Sequence, residues 1–163
     1  MILLTPITEA HLPEVQRFAA DPAIGASSYV PSPYPADGAA TWHAALTNRV
    51  AAGSAAVFAI TEDDAFRGVA SLNDIDRAVG RAHLDYWVAV PYQRRGVASA
   101  AIALAQQFAG DRLGLKALLS TCLASNSASL RALERNGFVV YQRVPAPPGK
   151  FAGQELLRLH RRL

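Results

Sequence analysis

The feature that most restricts the fold of this chain is a strand–helix–strand pattern in its middle third. The segment Ala82–Val90 alternates as a strand does, and Pro91 ends it. Gly96–Gly110 then has the broad apolar face of a packed helix, and Ala117–Leu123 follows as a second strand. Two strands joined by one helix lie parallel and adjacent, with a right-handed crossover. The sequence therefore predicts a sheet that is at least partly parallel.

The rest of the chain extends this unit into one mixed sheet. Further strands are predicted at Ile2–Leu4, Ala55–Thr61, Arg67–Asn73, Phe138–Val144 and Glu155–His160. Further helices are predicted after Thr8, from Asp37 to Ala52 with Trp42, Leu46 and Val50 inward, and at Ser127–Asn136. The proline-rich stretches Gly25–Asp37 and Pro145–Gly153 are predicted loops. The expected fold is a single α/β (α+β) domain over residues 1–163, with six or seven strands flanked by about four helices.

Composition and charge restrict the partners of the chain. Hydrophobic residues make up 51% of it and charged residues 18%, which is typical of a packed globule. A net charge of +3, scattered along the chain, suits a small anionic ligand better than nucleic acid. Cys122 is the only cysteine and the histidines lack ligand spacing, so we expect no metal site. No apolar run approaches the ~20 residues of a membrane span, and we expect a cytoplasmic protein without a membrane partner.

The segment Gln93–Ala98 joins the first strand of the unit to its helix. The first turn of a helix has unpaired N–H groups and the positive end of the helix dipole, which together suit a phosphate. Gly96 lets the backbone approach such a ligand closely, and Ala98 keeps the next turn small. Arg94 and Arg95 add positive charge. Taken alone, the segment is equally compatible with an ordinary turn whose arginines are solvated.

A second segment, Asn126–Phe138, follows the next strand and gives the first one a specific interpretation. Together they resemble the GNAT acetyltransferase superfamily. Gln93–Ala98 fits that family's Q/R-x-x-G-x-G/A signature, and Asn126–Phe138 fits its Asn…Ser/Ala…Gly-Phe pattern. The Tyr29–Tyr34 loop, Trp42 and the strand Asp85–Val88 resemble the branch of RimJ/RimL-type ribosomal-protein N-terminal acetyltransferases. The resemblance covers nearly the whole chain.

This resemblance implies that the chain binds acetyl-CoA. In the family, the strands that match Ala82–Val90 and Ala117–Leu123 splay apart, and backbone N–H groups near Val88 and Val90 face the thioester and pantetheine. A backbone donor there stabilises the developing oxyanion by about 3 kcal/mol, as in other oxyanion holes. The residues expected to bind the coenzyme are Val88, Ala89, Val90, Gln93, Arg94, Arg95, Gly96, Val97, Ala98, Ser99, Asn126, Ser129 and Arg131.

The same resemblance suggests residues for the two proton transfers. His83 stands where relatives often carry a glutamate, so it is the first candidate base, and Asp85 should point to the same face of the strand. A strand histidine and a structural carboxylate without any catalytic role are the alternatives. The tyrosine that many members use as the acid is replaced here by Leu133, which makes Ser129 the candidate acid. Cys122 is expected to be a buried, inert thiol.

The aromatic residues Tyr29, Tyr34, Tyr86 and Trp87 are expected to line the acceptor pocket. The implied activity is direct transfer of acetyl from acetyl-CoA to a primary amine, above all the N-terminal α-amine of a protein. Two alternatives remain: an enzyme for a small amine such as an amino acid, a polyamine or an antibiotic, and a non-catalytic acyl-CoA-binding sensor. Relatives in this branch often pair, so a homodimer is compatible with the resemblance.

Overall fold

Seven strands form one sheet in the computed structural model, which describes all 163 residues. The strands are β1 (Ile2–Pro6), β2 (Ala56–Glu62), β3 (Ala65–Asp76), β4 (Arg81–Val88), β5 (Ala117–Leu123), β6 (Val139–Pro145) and β7 (Glu155–Arg162). Their order across the sheet is β1-β2-β3-β4-β5-β7-β6. Only β4 and β5 pair in parallel, and every other pairing is antiparallel. The predicted mixed sheet and its parallel unit are confirmed.

Five helices cover the sheet, one more than the sequence predicts. They are α1 (Leu12–Ala19), α2 (Pro22–Ser27), α3 (Gly38–Ala51), α4 (Val97–Asp111) and α5 (Ser127–Arg135). The extra helix α2 overlaps the start of the predicted loop. It forms because the side chain of Asp21 accepts a hydrogen bond from the N–H of Ala23 at 2.9 Å, and Pro22 fits the first helical position. None of the helices is both long and apolar enough to cross a membrane.

The strands β4 and β5 remain paired over only part of their length. Their register joins Arg81, Ala82 and His83 to Ala117–Leu119, and backbone pairing stops there. The hydroxyl of Ser120 donates to the carbonyl of Leu84 at 2.8 Å just beyond that point. The strands then splay apart, as predicted. β4 ends at Val88 rather than Val90, because Val90–Tyr92 forms a 3₁₀ turn around Pro91.

The alternation of β4 divides its side chains between two layers of helices. Ala82 and Leu84 pack with α4 and α5, on what we call the α4–α5 face. Trp87 and Ala89 pack with α1 and α3, on what we call the α1–α3 face. Adjacent residues near the splay therefore face opposite layers.

Helix α3 corrects one detail of the predicted core. Leu46 is buried and Trp42 is packed against the same cluster, as the helical spacing predicts. Val50, also predicted to point inward, is 43% exposed. It lies in the last turn of α3, where the adjacent Arg49 is the residue that reaches the sheet, through its hydrogen bond to Asn73, so the apolar stripe ends one turn early.

Candidate active site

A cleft of about 1150 Å³ lies where β4 and β5 splay apart. Its walls come from both layers of helices, from the loop between α2 and α3, and from the loop between β6 and β7. Because the gap lies between two strands of the sheet, groups on the two faces reach one continuous space there.

The start of α4 forms one wall of this cleft. Arg94 and Gly96 both adopt left-handed backbone conformations, with φ of 63° and 77°. A left-handed backbone conformation is uncommon for a residue other than glycine. Here the two left-handed residues turn the chain so that a series of N–H groups at the start of α4 points toward the cleft. The first helical hydrogen bond runs from Ala100 to Gly96, which leaves the N–H groups of Val97–Ser99 without a protein acceptor. A Cβ at Gly96 would meet no atom within 4 Å, so the space above it is open. This arrangement suits phosphate groups.

The register of β3 and β4 determines which backbone groups of β4 reach the splay. The N–H of Ala89 donates to Arg67 at 2.8 Å, so residues 85, 87 and 89 bond to β3. The backbone groups of Val88 therefore point the other way, into the splay. Its carbonyl already accepts a hydrogen bond from the side chain of Gln93 at 2.9 Å, whereas its N–H is free to meet a ligand.

Most residues expected to bind the coenzyme lie along this cleft, with three exceptions. Ala89, Val90 and Arg95 do not line it. Ala89 is fully buried on the α1–α3 face, Val90 lies in the 3₁₀ turn, and Arg95 projects into solvent. The residues of the set that do line it are Val88, Gln93, Arg94, Gly96, Val97, Ala98, Ser99, Asn126, Ser129 and Arg131.

Asparagine side chains cap the start of α5 and fix its end against the first turn of α4. The Oδ1 of Asn126 accepts from the N–H of Ser129 at 3.1 Å and so caps the start of α5. The amide of Asn136 at the other end donates to the carbonyl and hydroxyl of Ser99 and to the carbonyl of Ala132. These bonds use the Asn126 oxygen and the Ser99 hydroxyl oxygen as acceptors, while the Asn126 amide nitrogen and the Ser99 O–H have no acceptor in the protein.

A pair of hydroxyl groups bridges the splay on the α4–α5 face. The phenol oxygen of Tyr86 lies 2.6 Å from the hydroxyl oxygen of Ser129. Burial raises the pKa of Tyr86 to about 12, although the hydrogen bond to Ser129 lowers it. The phenol therefore stays protonated at neutral pH. Tyr86 and Trp87, both expected at the acceptor pocket, both line the cleft, and strand alternation places their rings on opposite faces of the sheet.

Leu133 and Cys122 complete the core beneath this pair. Leu133, which replaces the usual tyrosine of the family pattern, is fully buried in the cluster between α4, α5 and the sheet. Cys122 is 7% exposed, and burial, followed by the charge of Glu134, raises the pKa of its thiol to about 11. A thiol with that pKa is almost entirely protonated at neutral pH and is a poor nucleophile, as the sequence suggested.

On the α1–α3 face, polar side chains form a connected row across the splay. The Nδ1 of His83 lies 3.3 Å from a carboxylate oxygen of Asp85, and its Nε2 lies 3.3 Å from the hydroxyl of Thr121. The same carboxylate oxygen accepts a hydrogen bond from Asn73 at 2.8 Å, and Asn73 in turn accepts from Arg49 at 2.9 Å. Since Asp85 is an acceptor, Nδ1 of His83 carries the proton and Nε2 is the basic nitrogen.

The two members of the His83–Asp85 pair shift each other's protonation. Burial alone lowers the pKa of His83, but the hydrogen bond and charge of Asp85, with the charge of Asp74, outweigh it and raise the pKa. Burial alone raises the pKa of Asp85, but His83, Asn73 and Arg49 together lower it. Asp85 is therefore ionised at neutral pH and holds the imidazole in one orientation. Sequence reasoning missed Thr121 and Asn73. Thr121 is a polar residue in a mostly apolar strand, whereas Asn73 lies at the polar end of β3 and gives no such signal.

Two loops meet over the α1–α3 side of the cleft. The Nζ of Lys150 donates to the carbonyls of Ser28 and Val30 at 2.6 Å each, and the ring of Phe151 meets Tyr29 edge-on at 5.0 Å. Phe151 itself is buried. These contacts join the loop after α2 to the loop between β6 and β7, two segments that sequence reasoning treated separately.

Tyr34 and Trp87 line the same side of the cleft. The ring of Tyr34 covers the start of α3, where a Cβ on Gly38 would lie 2.6 Å from it. Trp87 packs edge-on against Phe66, with ring centroids 6.0 Å apart. Three of the four aromatic residues expected around the acceptor thus lie together on the α1–α3 side.

Comparison with known proteins agrees with this geometry. The family model of the acetyltransferase (GNAT) domain matches residues 1–139. A comparison with curated protein sequences found no match. Among solved structures, the chain is similar to a spermidine N-acetyltransferase from Vibrio cholerae in complex with CoA and spermine, at 16% identity and a TM-score of 0.87, with 99% of this chain and 95% of that chain covered.

Two further solved structures share the fold. The chain is similar to the Salmonella typhimurium acetyltransferase that modifies the N-terminal serine of ribosomal protein L7/L12, at 18% identity and a TM-score of 0.89, covering 99% and 95% of the two chains. It is also similar to the microcin C7 self-immunity acetyltransferase in complex with acetyl-CoA and AMP, at 19% identity and a TM-score of 0.88, covering 99% and 92%. Since the family match spans most of the sequence, the chain belongs to the GNAT acetyltransferases, which transfer acetyl from acetyl-CoA to an amine.

Proposed function

We propose that this enzyme acetylates a primary amine directly within a ternary complex, and that its acceptor is the N-terminal α-amine of a protein. The main support for the proposal is the relative position of the groups that would bind the donor and those that would bind the acceptor. The free N–H groups at the start of α4 and the His83–Asp85 pair lie on opposite faces of the sheet, yet both line one cleft at the splay. Donor and acceptor can therefore meet there without a covalent enzyme intermediate.

The α4–α5 face would hold the donor, whose thioester supplies the acetyl group. The N–H groups of Val97–Ser99 and the side chain of Arg94 suit the pyrophosphate. The free N–H of Val88 points into the splay, where it would donate to the thioester carbonyl. The amide nitrogen of Asn126 and the exposed guanidinium of Arg131 are available to the rest of the coenzyme.

The α1–α3 face would prepare the acceptor. With Nδ1 bonded to Asp85, the Nε2 of His83 is the basic nitrogen, and it faces the splay beside Thr121. An α-amine has a pKa near 8 and a lysine side chain near 10.4. The α-amine therefore gives up its proton to an imidazole much more readily, which supports an N-terminal acceptor over a lysine side chain.

The departing sulfur would meet the Tyr86–Ser129 hydroxyl pair. A thiol has a pKa near 8.5, whereas the pKa of Tyr86 is about 12. The phenol therefore does not readily transfer its proton to a thiolate. The pair would instead donate a hydrogen bond through Ser129 and so lower the basicity of the leaving sulfur, which then takes its proton from solvent.

An acceptor screen with mass detection tests this proposal. Short peptides with free N-termini are compared with the same peptides blocked at the N-terminus, and with lysine, polyamines and aminoglycosides. We expect acetylation of the free peptides at the α-nitrogen and none of the blocked ones. Transfer only to side-chain or small amines would refute the N-terminal assignment. Tight acetyl-CoA binding without transfer to any amine would instead identify a sensor.

A further inference from the structure

The charged side chains along the acceptor side of the cleft are few and unevenly distributed. Asp85 is the only acidic residue among all those that line the cleft. Its carboxylate is already bonded to His83 and Asn73. A polyamine needs several carboxylates to replace the water around its separate charges, since a buried charge without a partner is costly. The cleft offers it a single one, already in use.

A cation lies on the same face, close to the same row. Arg158 of β7 lines the cleft and is the cross-strand partner of Thr121, which contacts His83. Arg158 lies between Leu157 and Leu159, which are buried on the α4–α5 face. Because side chains alternate along a strand, the guanidinium projects toward the opposite, α1–α3 side.

The guanidinium of Arg158 has no carboxylate partner. Its one side-chain hydrogen bond is to the amide oxygen of Gln142 at 3.2 Å, and no acidic group lies within salt-bridge distance. A guanidinium has five N–H donors in a fork that matches a carboxylate or a phosphate. Most of these N–H donors have no acceptor within the protein.

Asp85 and Arg158 therefore bring opposite charges to this side of the cleft. Asp85 lies beside the candidate base, and Arg158 lies across β5. From this geometry we infer that the acceptor is a monoamine that also carries an anionic group, bound by Arg158 while the amine lies at His83. Arg158 lies two strands away from His83, and adjacent strands are about 4.8 Å apart, so the anionic group lies up to roughly 10 Å from the nitrogen, less the reach of the Arg158 side chain. This inference rests on the proposed function and narrows it to acidic acceptors.

The test compares matched acceptors that differ in one charge. A peptide with aspartate as its second residue is compared with the same peptide carrying asparagine, and spermidine is included as a polyamine. Wild-type enzyme should favour the acidic peptide in kcat/KM by about tenfold, the usual worth of one charge-assisted hydrogen bond. Equal rates for the two peptides, or a preference for spermidine, would overturn the inference.

Variants of Arg158 test whether this residue causes the preference for the acidic peptide. Arg158→Gln should reduce the acid-to-amide ratio to about one while leaving the KM for acetyl-CoA unchanged, and Arg158→Lys should restore part of it. Arg162→Gln is the matched control, because Arg162 lies on the same side of the same strand but outside the cleft. A ratio that persists in Arg158→Gln, or a raised KM for acetyl-CoA, would refute the role of Arg158. If wild-type enzyme acetylates no amine at all, the proposed function fails instead.

Discussion

The two faces of the sheet contribute to the cleft in different ways. The α4–α5 face offers mainly backbone groups, namely the N–H groups at the start of α4 and that of Val88. The α1–α3 face offers side chains from several separate strands, including His83, Thr121 and Arg158. A backbone site depends on helix position and on one glycine, whereas a side-chain site changes with any single substitution. The first kind suits a donor common to a family, and the second suits an acceptor that differs among its members.

The largest expected effect is on acetyl-CoA affinity and comes from a substitution at Gly96, on the donor face. Gly96→Glu places bulk and negative charge at the free N–H groups of α4, so acetyl-CoA affinity should fall about 100-fold or more, close to 3 kcal/mol. Titration calorimetry measures the loss. Gly114→Glu is the control, because Gly114 also has positive φ and open space but follows the other end of α4. An equal loss of affinity in both variants would attribute the effect to backbone strain and contradict the assignment.

The next largest effect concerns the acceptor face alone. Asp85→Asn removes the carboxylate that raises the pKa of His83, and the remaining effect of burial lowers that pKa. Because a general base works when deprotonated, the rise of kcat/KM with pH should shift to lower pH, and the plateau should fall roughly tenfold. Acetyl-CoA affinity should stay at the wild-type value. An unmoved inflection in the pH profile would show that His83 is not the base.

A smaller effect is expected where the two faces meet, at the Tyr86–Ser129 pair. Tyr86→Phe removes the phenol that contacts Ser129, and kcat should fall about three- to tenfold because one hydrogen bond is lost. Coupled residues give non-additive effects, so Tyr86→Phe combined with Ser129→Ala should cost no more than Ser129→Ala alone. Tyr141→Phe, at an exposed tyrosine outside the cleft, is the control. Additive losses in the double variant would mean that the two hydroxyls act separately.

The smallest expected effect is at the loops that meet over the acceptor side. Lys150→Met removes the two hydrogen bonds to Ser28 and Val30. These lie at the surface, so we expect only a two- to fivefold rise in the KM for the acceptor, with kcat unchanged. Steady-state kinetics measure both values, and Arg143→Met provides an exposed control outside the cleft. A change in the KM for acetyl-CoA instead would place the loops at the donor end.

The sequence is informative about the donor side because that side depends on local features. Pro91, Gly96 and the start of a helix follow one another within the eight residues from Pro91 to Ala98, so their order in the chain already fixes their order in space. The parallel pairing of β4 with β5 follows from the crossover rule. The polar row on the acceptor side joins residues 73, 83, 121 and 158, and only the register of four strands brings them together.

One local error has a clear physical origin. The helix α2 was missed because Asp21-Pro22 ends one helix and also starts the next. The local signal was present, but it has two structural consequences, and only the structure distinguishes them.

The central claim is that the cleft brings a bound thioester and an amine together for direct transfer. A single-turnover experiment with enzyme in excess over acetyl-CoA tests it most directly, by following thioester loss with and without a peptide that has a free N-terminus. The account predicts that the peptide accelerates thioester loss and that acetylated peptide forms in equal amount. Fully bound acetyl-CoA whose thioester decays at the same rate with and without every amine tested would contradict it.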